Sequence, residues 1–410
     1  MSEMNEGISR RWLMGGAALL AAPAILPRRV WADESVVDLQ SPSGNSLRQV
    51  SSAYPEKGSM IVHRTRPAWL EPRFEVFDKG VFTPNDQHYV SWHYNTFPTE
   101  VDPDKFTLAV RGHVNKTLSL SMKELLAMPR IDLAAVSQCA GNSRLYFEPG
   151  VAGAPWANGS MANAMWTGVP LRHVLDLAGI KSGAQVIRFA GMDDPPVDDA
   201  PRFMKSLSID HAGDGEVMLA FGMNGEQLPL LNGFPLRLVV PGWVATYWIK
   251  ALNDIEVLDQ PDTNYWTAKG YRFPNVPDHT VVPGQTGYEL VSCTKLFPRS
   301  FVTNLKEGDK VVAGKATRLR GIAFGGDCGV AKVELSLDGG KSWQGTRLGK
   351  DEGKYGFRRW ESELTLPGAG QHAVSVRCTN SKGEAQPLKI TWNPQGYMRF
   401  NVETIRLTAA

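Results

Sequence analysis

The middle of the chain carries hydrophobic residues in two patterns, one typical of strands and the other of short amphipathic helices. Residues 106–114 alternate between apolar and polar positions like a strand. Residues 119–128 show the apolar stripe of a helix, with a serine cap at Ser119 or Ser121 and Pro129 after it. A second helix is predicted at 170–180, and further strands at 131–141, 184–193, 215–223, 234–242 and 248–259. This order of elements indicates a domain of mixed α/β type.

The pattern changes after about residue 274, where only strands are predicted. Turn signals such as Asp338-Gly339 recur at short intervals between them. Apolar and polar residues alternate within 330–345, 358–384 and 387–398. These features are typical of an antiparallel β-sandwich of immunoglobulin type. The predicted fold class is therefore α+β, with a mixed α/β domain at 33–285 followed by an immunoglobulin-like sandwich at 290–408.

The segment 1–32 has the features of a cleaved export signal. Arg10 and Arg11 precede an apolar run that is too short to span a bilayer. Val30 and Ala32 supply small residues at the spacing that a signal peptidase prefers. We interpret the segment as a twin-arginine (Tat) signal peptide, with a Sec signal as the alternative. Because the twin-arginine route carries folded, cofactor-loaded proteins, we expect a periplasmic protein with no membrane span after cleavage.

Length and charge exclude several classes of protein. The 410 residues predict two or three domains and include 44 basic and 42 acidic side chains. Removal of the predicted signal would leave 40 of each sign. A neutral chain without a basic run is a poor candidate for binding nucleic acid or an anionic membrane. We therefore expect a small-molecule substrate and protein partners.

The chain has four cysteines, Cys139, Cys293, Cys328 and Cys378. It contains neither C-x-x-C nor C-x-x-C-H, which argues against a thioredoxin-like site, a zinc ribbon and a covalently attached haem. No haem is therefore expected in this chain. A disulfide between Cys328 and Cys378 is an open alternative to two buried thiols.

Cys139 lies in the stretch SQCAGNSR, where a predicted strand runs into a Gly-Asn turn. Such a side chain lies at the rim of a sheet, where α/β folds bind ligands. Arg144 can keep a thiolate ionised or hold an anion. A lone cysteine is most often a small buried hydrophobic residue. A catalytic nucleophile would need a histidine base, and no local sequence signature marks His93 or His113 as one. The remaining option is a soft ligand to a metal that an organic cofactor also holds.

Four stretches of the sequence carry a resemblance to a known family. QCAGNSR resembles the cysteine motif of the sulfite oxidase family of molybdenum enzymes. MWTGVPLRHVL, GEVMLAFGMNGEQLPLLNGFPLRLVVPG and VAKVELSLDGGKSW are similar to three further segments of that family, so the resemblance covers nearly the whole mature chain. The ending WNPQGYM is similar to the bacterial periplasmic sulfite dehydrogenases, which pass electrons to a cytochrome c.

The resemblance implies a molybdenum–molybdopterin cofactor and a role for each of nine residues. Cys139 would be the thiolate ligand of the metal, Arg144 a wall of the anionic-substrate pocket, and Tyr271 a hydrogen-bond and proton partner at the metal. The remaining implied contacts are Trp156 in the substrate pocket and, around the pterin and its phosphate, His93, Asp193, Arg237, Lys250 and Asn232. Asn232 is a small departure from the family pattern, because it stands where vertebrate relatives have a pterin-contacting histidine.

One departure from the family pattern concerns the substrate. The family has an arginine close to the metal, and Ser91 takes its place in the segment VSWH. The resemblance implies oxidation of sulfite to sulfate, with a cytochrome c as acceptor. The alternatives are another sulfur substrate, such as sulfane sulfur or a sulfoxide, and an inactive secreted binding protein. The sandwich implies a homodimer, with a heterodimer containing a cytochrome subunit as the alternative.

Overall fold

A computed structural model describes residues 36–410, so the predicted signal peptide at 1–32 lies outside the described residues. Strands make up most of the regular structure. The first seventeen are β1 (Val36–Asp38), β2 (Leu47–Ser51), β3 (Met60–Arg64), β4 (Trp69–Pro72), β5 (Val90–Ser91), β6 (Thr107–Gly112), β7 (Leu118–Ser121), β8 (Ile131–Gln138), β9 (Met161–Pro170), β10 (Val186–Gly191), β11 (Met204–Ser208), β12 (Met218–Met223), β13 (Glu226–Gln227), β14 (Arg237–Val239), β15 (Leu252–Leu258), β16 (Arg272–Pro274) and β17 (Leu290–Ser292).

The α-helices in the described part of the chain are short. They are α1 (Val76–Lys79), α2 (Met122–Ala127), α3 (Leu171–Ala178), α4 (Ile209–Ala212) and α5 (Tyr265–Ala268). The predicted helix at 119–128 forms as α2, and Ser121 caps it by accepting a hydrogen bond from the Glu124 backbone. The predicted helix at 170–180 forms as α3 and ends at Gly179, which has a positive φ.

The first part of the chain contains three sheets of five strands each. β1 to β5 form the first sheet in chain order, and the second has the order β11-β10-β15-β6-β7. The third has the order β13-β12-β9-β8, with β14 also paired to β12. Apart from the parallel pair β6 and β15, neighbouring strands in these sheets are antiparallel. Antiparallel strands need no helical crossover, which is why so few helices are present.

The C-terminal part forms two sheets around a core of its own. Its strands are β18 (Arg299–Val302), β19 (Lys310–Val311), β20 (Ala316–Phe324), β21 (Val330–Ser336), β22 (Gln344–Gly345), β23 (Arg347–Leu348), β24 (Arg358–Thr365), β25 (Gly370–Asn380) and β26 (Glu403–Ala409). The sheet orders are β18-β20-β24-β23 and β19-β26-β25-β21-β22. Leu319 and Trp360 of one sheet pack with Val374 and Leu407 of the other.

A larger core joins the two parts of the chain. It runs from the first part into β18 and β20 through Phe301, Ile322 and Phe324, and includes Phe357. Burial of apolar surface is the main favourable term in folding, so this shared core holds the two parts together.

The predicted fold is confirmed in part. The helices at 119–128 and 170–180 are present, but the first part is dominated by strands and is less clearly α/β than expected. Two packed sheets form after residue 290, although β19 runs parallel to β26. The immunoglobulin type and the domain boundaries at 285 and 290 stay predictions. Cys328 and Cys378 are buried free thiols. Within residues 36–410, no helix is long and apolar enough to cross a membrane.

Candidate active site

The loop that follows β8 places the Cys139 side chain on the cavity wall. The Cys139 amide donates to the Ser160 carbonyl at 3.0 Å, and the Asn142 amide donates back to the Cys139 carbonyl at 3.0 Å, which closes the predicted turn. A Cβ at Gly141 would lie 2.6 Å from a guanidinium nitrogen of Arg144, so a larger residue here would force that side chain to move. Burial raises the pKa of the Cys139 thiol, while the Arg144 charge acts in the opposite direction.

The C-terminal part holds this loop from behind. Arg299 at the start of β18 donates to the Asn142 side-chain oxygen at 2.6 Å and to the Ser143 hydroxyl at 3.0 Å. The Met398 amide donates to the Ala140 carbonyl at 2.8 Å. Ser143 has a φ of 65°, a left-handed conformation that serine rarely adopts. The turn is therefore held in place by contacts across the whole chain and not by local preference alone.

The predicted pocket arginine Arg144 points toward the C-terminal part. Its guanidinium donates to the Gly396 carbonyl at 3.0 Å and to the Ala154 carbonyl at 3.1 Å, and lies 5.0 Å from the centre of the Tyr397 ring. It does not line the cavity, although its charge acts on Cys139. Its role as a substrate-pocket wall stays a prediction.

The cavity brings together most of the residues predicted from the sequence. Of the nine predicted residues, those that line it are Cys139, His93, Asn232, Arg237, Lys250 and Tyr271. Ser91 also lines it, at the position where the family pattern has an arginine. Trp156 does not: it is buried behind Tyr89, with 6.4 Å between the two rings. Asp193 is also buried outside the cavity lining.

Sequence reasoning missed several residues of the cavity wall, namely His88, Tyr89, Ser137, Phe203, Ala245 and Thr246. Tyr89, Ser91 and His93 alternate along the chain through β5, and residues two apart in an extended segment share a face. That period could have assigned Tyr89 to the cavity once His93 was assigned. No comparable signal marks Phe203 or Thr246, which come from distant segments.

Tyr271 and His93 form a hydrogen-bonded pair at the cavity wall. The Tyr271 hydroxyl and the His93 Nε2 atom are in direct hydrogen-bond contact. The His93 ring stacks on Phe203 with 3.5 Å between centroids, and Tyr271 stacks on Tyr397 at 5.4 Å. Burial, followed by the charges of Lys250 and Lys205, lowers the pKa of His93. Burial also raises the pKa of Tyr271, so both groups stay neutral near pH 7 and can share a proton.

Four cations lie at or near the cavity: Lys57, Lys205 and Arg237 are buried, and Lys250 is half-buried. Arg237 lies 4.8 Å from the Trp166 ring centre, and Lys250 lies 4.6 Å from that of Trp92. In residues 36–410 none of the four has a carboxylate within ion-pair distance. Burial lowers the pKa of each, to about 7 for Lys57 and about 8 for Lys205.

This donor set fits an anionic cofactor attached to one soft ligand. Buried charge is costly unless it is paired, so cations whose described partners are neutral oxygens, as for Lys205 and Arg237, suit a site that binds an anion. Two buried nitrogens at the cavity, Nε2 of His88 and Nε of Arg237, have no hydrogen-bond partner within the described residues. A pterin phosphate would supply an acceptor for the Arg237 Nε–H group, and Cys139 would supply the thiolate for the metal.

Comparisons with known proteins bear on both parts of the chain. Residues 94–266 match the oxidoreductase molybdopterin binding domain, and residues 293–406 match the Mo-co oxidoreductase dimerisation domain. Chicken sulfite oxidase is 32% identical over 361 residues, which cover 84% of this chain and 77% of that protein. Human mitochondrial sulfite oxidase is 31% identical over 360 residues, covering 83% of this chain. The chain spans only 64% of the length of the human protein.

A solved structure extends the comparison to the whole fold. The sulfane dehydrogenase SoxCD from Paracoccus pantotrophus superposes with a TM-score of 0.69, over 96% of this chain and 95% of that chain. The sequence identity is 22%, so the likeness concerns the fold alone. It includes the C-terminal sheets as well as the cavity-forming part.

Proposed function

Because the chain belongs to the sulfite oxidase family of molybdopterin oxidoreductases, we propose that it oxidises sulfite to sulfate and passes the electrons to a cytochrome c. The observation that carries the proposal is the cavity itself. It combines one thiol, Cys139, with the Tyr271–His93 pair and with two cations, Arg237 and Lys250. Asp193, outside the cavity lining, acts on the charge of Lys250 without forming an ion pair with it in residues 36–410.

The residues divide into three tasks. Cys139 would bind the metal, and Arg237 and Lys250 would hold the anionic phosphate of the pterin. The molybdenum cofactor supplies oxygen-atom transfer and accepts the two electrons released from the substrate. Tyr271, hydrogen-bonded to the neutral His93 ring, can donate or accept a proton at its hydroxyl oxygen as charge changes beside it. Oxidation of sulfite with water gives sulfate, two protons and two electrons, which leave singly to two acceptor molecules.

Partners and location are also proposals. The match to a dimerisation domain supports a homodimer through the C-terminal sheets. A cytochrome c is the proposed acceptor, since the chain has no haem-attachment motif. The twin-arginine segment at 1–32 supports export to the periplasm.

A second substrate class is favoured by one observation, the absence of a cation at position 91. Ser91 lines the cavity where the family pattern has an arginine, and the nearby cations Lys269 and Arg272 do not line it. Arg272 instead donates to the Ala268 carbonyl at 2.8 Å. A cavity with one cation fewer suits a neutral or larger sulfur compound, such as the sulfane sulfur that the name of SoxCD indicates.

Steady-state kinetics of the cofactor-loaded enzyme test both substrates. The assay measures cytochrome c reduction with sulfite and with a persulfide, for wild type, Ser91→Arg and the uncharged control Ser91→Gln. A charge-assisted hydrogen bond contributes roughly 1.5–3 kcal/mol, so Ser91→Arg should lower KM for sulfite by about one to two factors of ten. If the native substrate is a persulfide, the same change should lower turnover of that compound. Equal kcat/KM for sulfite in wild type and Ser91→Arg would show that position 91 does not select the substrate.

A further inference from the structure

Tyr271, the proton donor or acceptor of the proposed reaction, has a strained backbone. Its φ is 55°, in the left-handed region that bulky residues rarely adopt. Such a conformation persists only where the surrounding structure fixes it. One fixed point is the Tyr271 carbonyl, which accepts a hydrogen bond from the Cys293 amide at 2.8 Å. The direction of the ring, and with it the place of the hydroxyl, needs a second support.

The ring of Tyr397 provides a support for the Tyr271 ring. The two rings lie 5.4 Å apart between centroids and 24° from parallel. Trp266 and His93 meet the Tyr271 ring at steeper angles, 43° and 72°. Stacked aromatic pairs are stabilised beyond the apolar area that they bury. Tyr397 lies outside the cavity lining whereas Tyr271 is part of it, so Tyr397 meets the cavity through Tyr271.

Tyr397 belongs to a turn, residues 393–398, whose shape is fixed by hydrogen bonds. The Asn393 side chain accepts from the Tyr397 amide at 3.1 Å and donates to the Tyr397 carbonyl at 2.8 Å. Met398 has a φ of 56°, and its amide donates to the Ala140 carbonyl of the cysteine loop at 2.8 Å. The turn therefore has a defined conformation and is attached directly to that loop.

Arg144 packs against the same turn. It donates to the Gly396 carbonyl at 3.0 Å, and its guanidinium carbon lies 5.0 Å from the centre of the Tyr397 ring, where a cation is attracted to the ring. A Cβ at Gly396 would lie 2.5 Å from a methyl carbon of Val151 and 2.8 Å from the Arg144 Nε atom, so the turn is closely packed. Tyr397 is thus held by Asn393 at its backbone and by Arg144 at its ring.

We propose that Tyr397 is a positioning residue whose ring, by stacking on Tyr271, keeps the Tyr271 hydroxyl in hydrogen-bond contact with Nε2 of His93. The C-terminal part of the chain thereby completes the proton-transfer pair of the cavity. The proposal rests on the proposed function for the use of that proton. The sequence resemblance gave Tyr397 no role, although the residue lies in the segment WNPQGYM.

The contact between Tyr271 and His93 can be followed in the full-length, cofactor-loaded chain. The ¹⁵N shift of Nε2 depends on hydrogen bonding, and the His93 signals are assigned from their loss in His93→Gln. Tyr271→Phe gives the shift without the hydrogen bond, and wild type gives the shift with it. Tyr397→Leu removes the stack and should move the shift toward the Tyr271→Phe value. Tyr397→Phe keeps the ring and should match wild type.

Steady-state kinetics with sulfite give a second readout. Loss of one stacked aromatic pair should lower the population of the aligned Tyr271 ring by about two- to tenfold, so kcat should fall by about that factor in Tyr397→Leu. KM for sulfite should stay unchanged, because Tyr397 does not line the cavity. If Tyr397→Leu does not fold, Asn393→Ala frees the Tyr397 backbone while keeping its ring, and should change the shift and kcat in the same direction.

Phe400→Leu is the matched control, because it removes another stacked pair of the same region, Phe297 and Phe400, with 4.2 Å between centroids. It should lower stability while leaving the His93 shift and kcat at their wild-type values. A wild-type His93 shift in Tyr397→Leu would overturn the proposal, and so would an equal change of shift in Phe400→Leu or in Tyr397→Phe.

The outcomes also separate this proposal from the proposed function. A wild-type chain that does not oxidise sulfite would contradict the proposed function and not the role of Tyr397. The ¹⁵N comparison of wild type, Tyr271→Phe and Tyr397→Leu would still decide that role, since it needs no turnover.

Discussion

The cavity beside Cys139 and the junction between the two parts of the chain both bury positively charged side chains. At the junction, Arg299 and Arg399 donate to one carboxylate oxygen of Glu403, at 2.6 and 2.7 Å. The partly exposed Arg320 in β20 is also paired there, with Asp78 near the end of α1, and its hydrogen bond lowers the pKa of that carboxyl. In the described part of the chain the cavity cations have no such partners.

The paired arginines of the junction stabilise the fold, whereas the cations at the cavity are available to bind a ligand. A buried ion pair is satisfied before any ligand arrives, so removing one partner leaves the other uncompensated. A buried cation without a partner costs stability in the unliganded chain and gains its counter-ion only on binding. Substitutions at the junction should therefore destabilise the chain with or without cofactor. Substitutions in the cavity should act mainly through the ligand.

The largest effect is expected from the one thiol of the cavity wall. Cys139→Ser should abolish turnover, because a hydroxyl is a much poorer ligand than a thiolate for a soft metal site. Pterin should be largely retained, since the cavity cations are unchanged. Turnover and metal content are measured together, with Cys328→Ser as a control far from the cavity. A molybdenum-replete Cys139→Ser enzyme with normal turnover would contradict the ligand assignment.

At the junction, Arg299→Met should destabilise the chain by about 1–3 kcal/mol, because it removes the buried donor of Asn142 and Ser143 while Arg399 still pairs with Glu403. The same change frees Asn142 and Ser143, so Cys139 should react faster with iodoacetamide in the cofactor-free chain. Urea unfolding and alkylation rates measure the two effects. Arg347, whose side chain is 78% exposed, provides the control Arg347→Met, which should change stability little. Unchanged alkylation in Arg299→Met would show that Arg299 does not hold the cysteine loop.

In the cavity, Arg237→Met should change the free energy of unfolding of the cofactor-free chain in the opposite direction to Arg299→Met. Methionine keeps apolar contact with Trp166 and Trp248 while removing an unpaired buried charge, so stability should stay equal or rise by about 1–4 kcal/mol. The loaded enzyme should nevertheless lose cofactor faster than wild type. Urea midpoints and the rate of pterin release measure both. A loss of stability like that of Arg299→Met would mean that the two regions do not differ in the way described.

The smallest expected effect is a pH dependence that belongs to the cavity lysines. Burial lowers the pKa of Lys57 from 10.5 to about 7 and that of Lys205 to about 8. Between those values and 10.5 the unfolded chain binds more protons than the folded chain. Stability should therefore rise with pH across this window and fall as the pH drops toward 7.

Urea midpoints of the cofactor-free chain at pH 7 and pH 9 measure this dependence. Lys57→Met should show a smaller increase than wild type, whereas Lys315→Met, at an exposed site, should show the same increase. An identical increase in Lys57→Met would mean that Lys57 contributes nothing to the dependence. Bound cofactor should reduce the increase, because an anion keeps the lysines protonated.

Much of the local structure follows from the sequence, because its causes are local. The capping serine, the apolar stripe and the following proline predict α2, and the apolar residues of 131–141 that run into the Gly-Asn turn predict β8 and the turn after it. The motif around Cys139 was one of the segments that carried the family resemblance. Six of the nine residues that the resemblance implied line the cavity. The predicted α/β class agrees less well with the structure than the predicted elements do, because hydrophobic periodicity does not tell whether neighbouring strands run parallel.

Only the tertiary structure decided which distant side chains meet. Lys57 and Asn232 are 175 residues apart, and Arg299 and Asn142 are 157 apart. The same packing turned Arg144 toward Gly396, placed Trp156 behind Tyr89 and left the Nε2 atom of His88 facing the cavity. Helix caps and strand alternation depend on neighbours in the chain, which the sequence shows. Hydrogen-bond partners, tautomers and unpaired buried charges depend on neighbours in space, which are defined only when the sheets have packed.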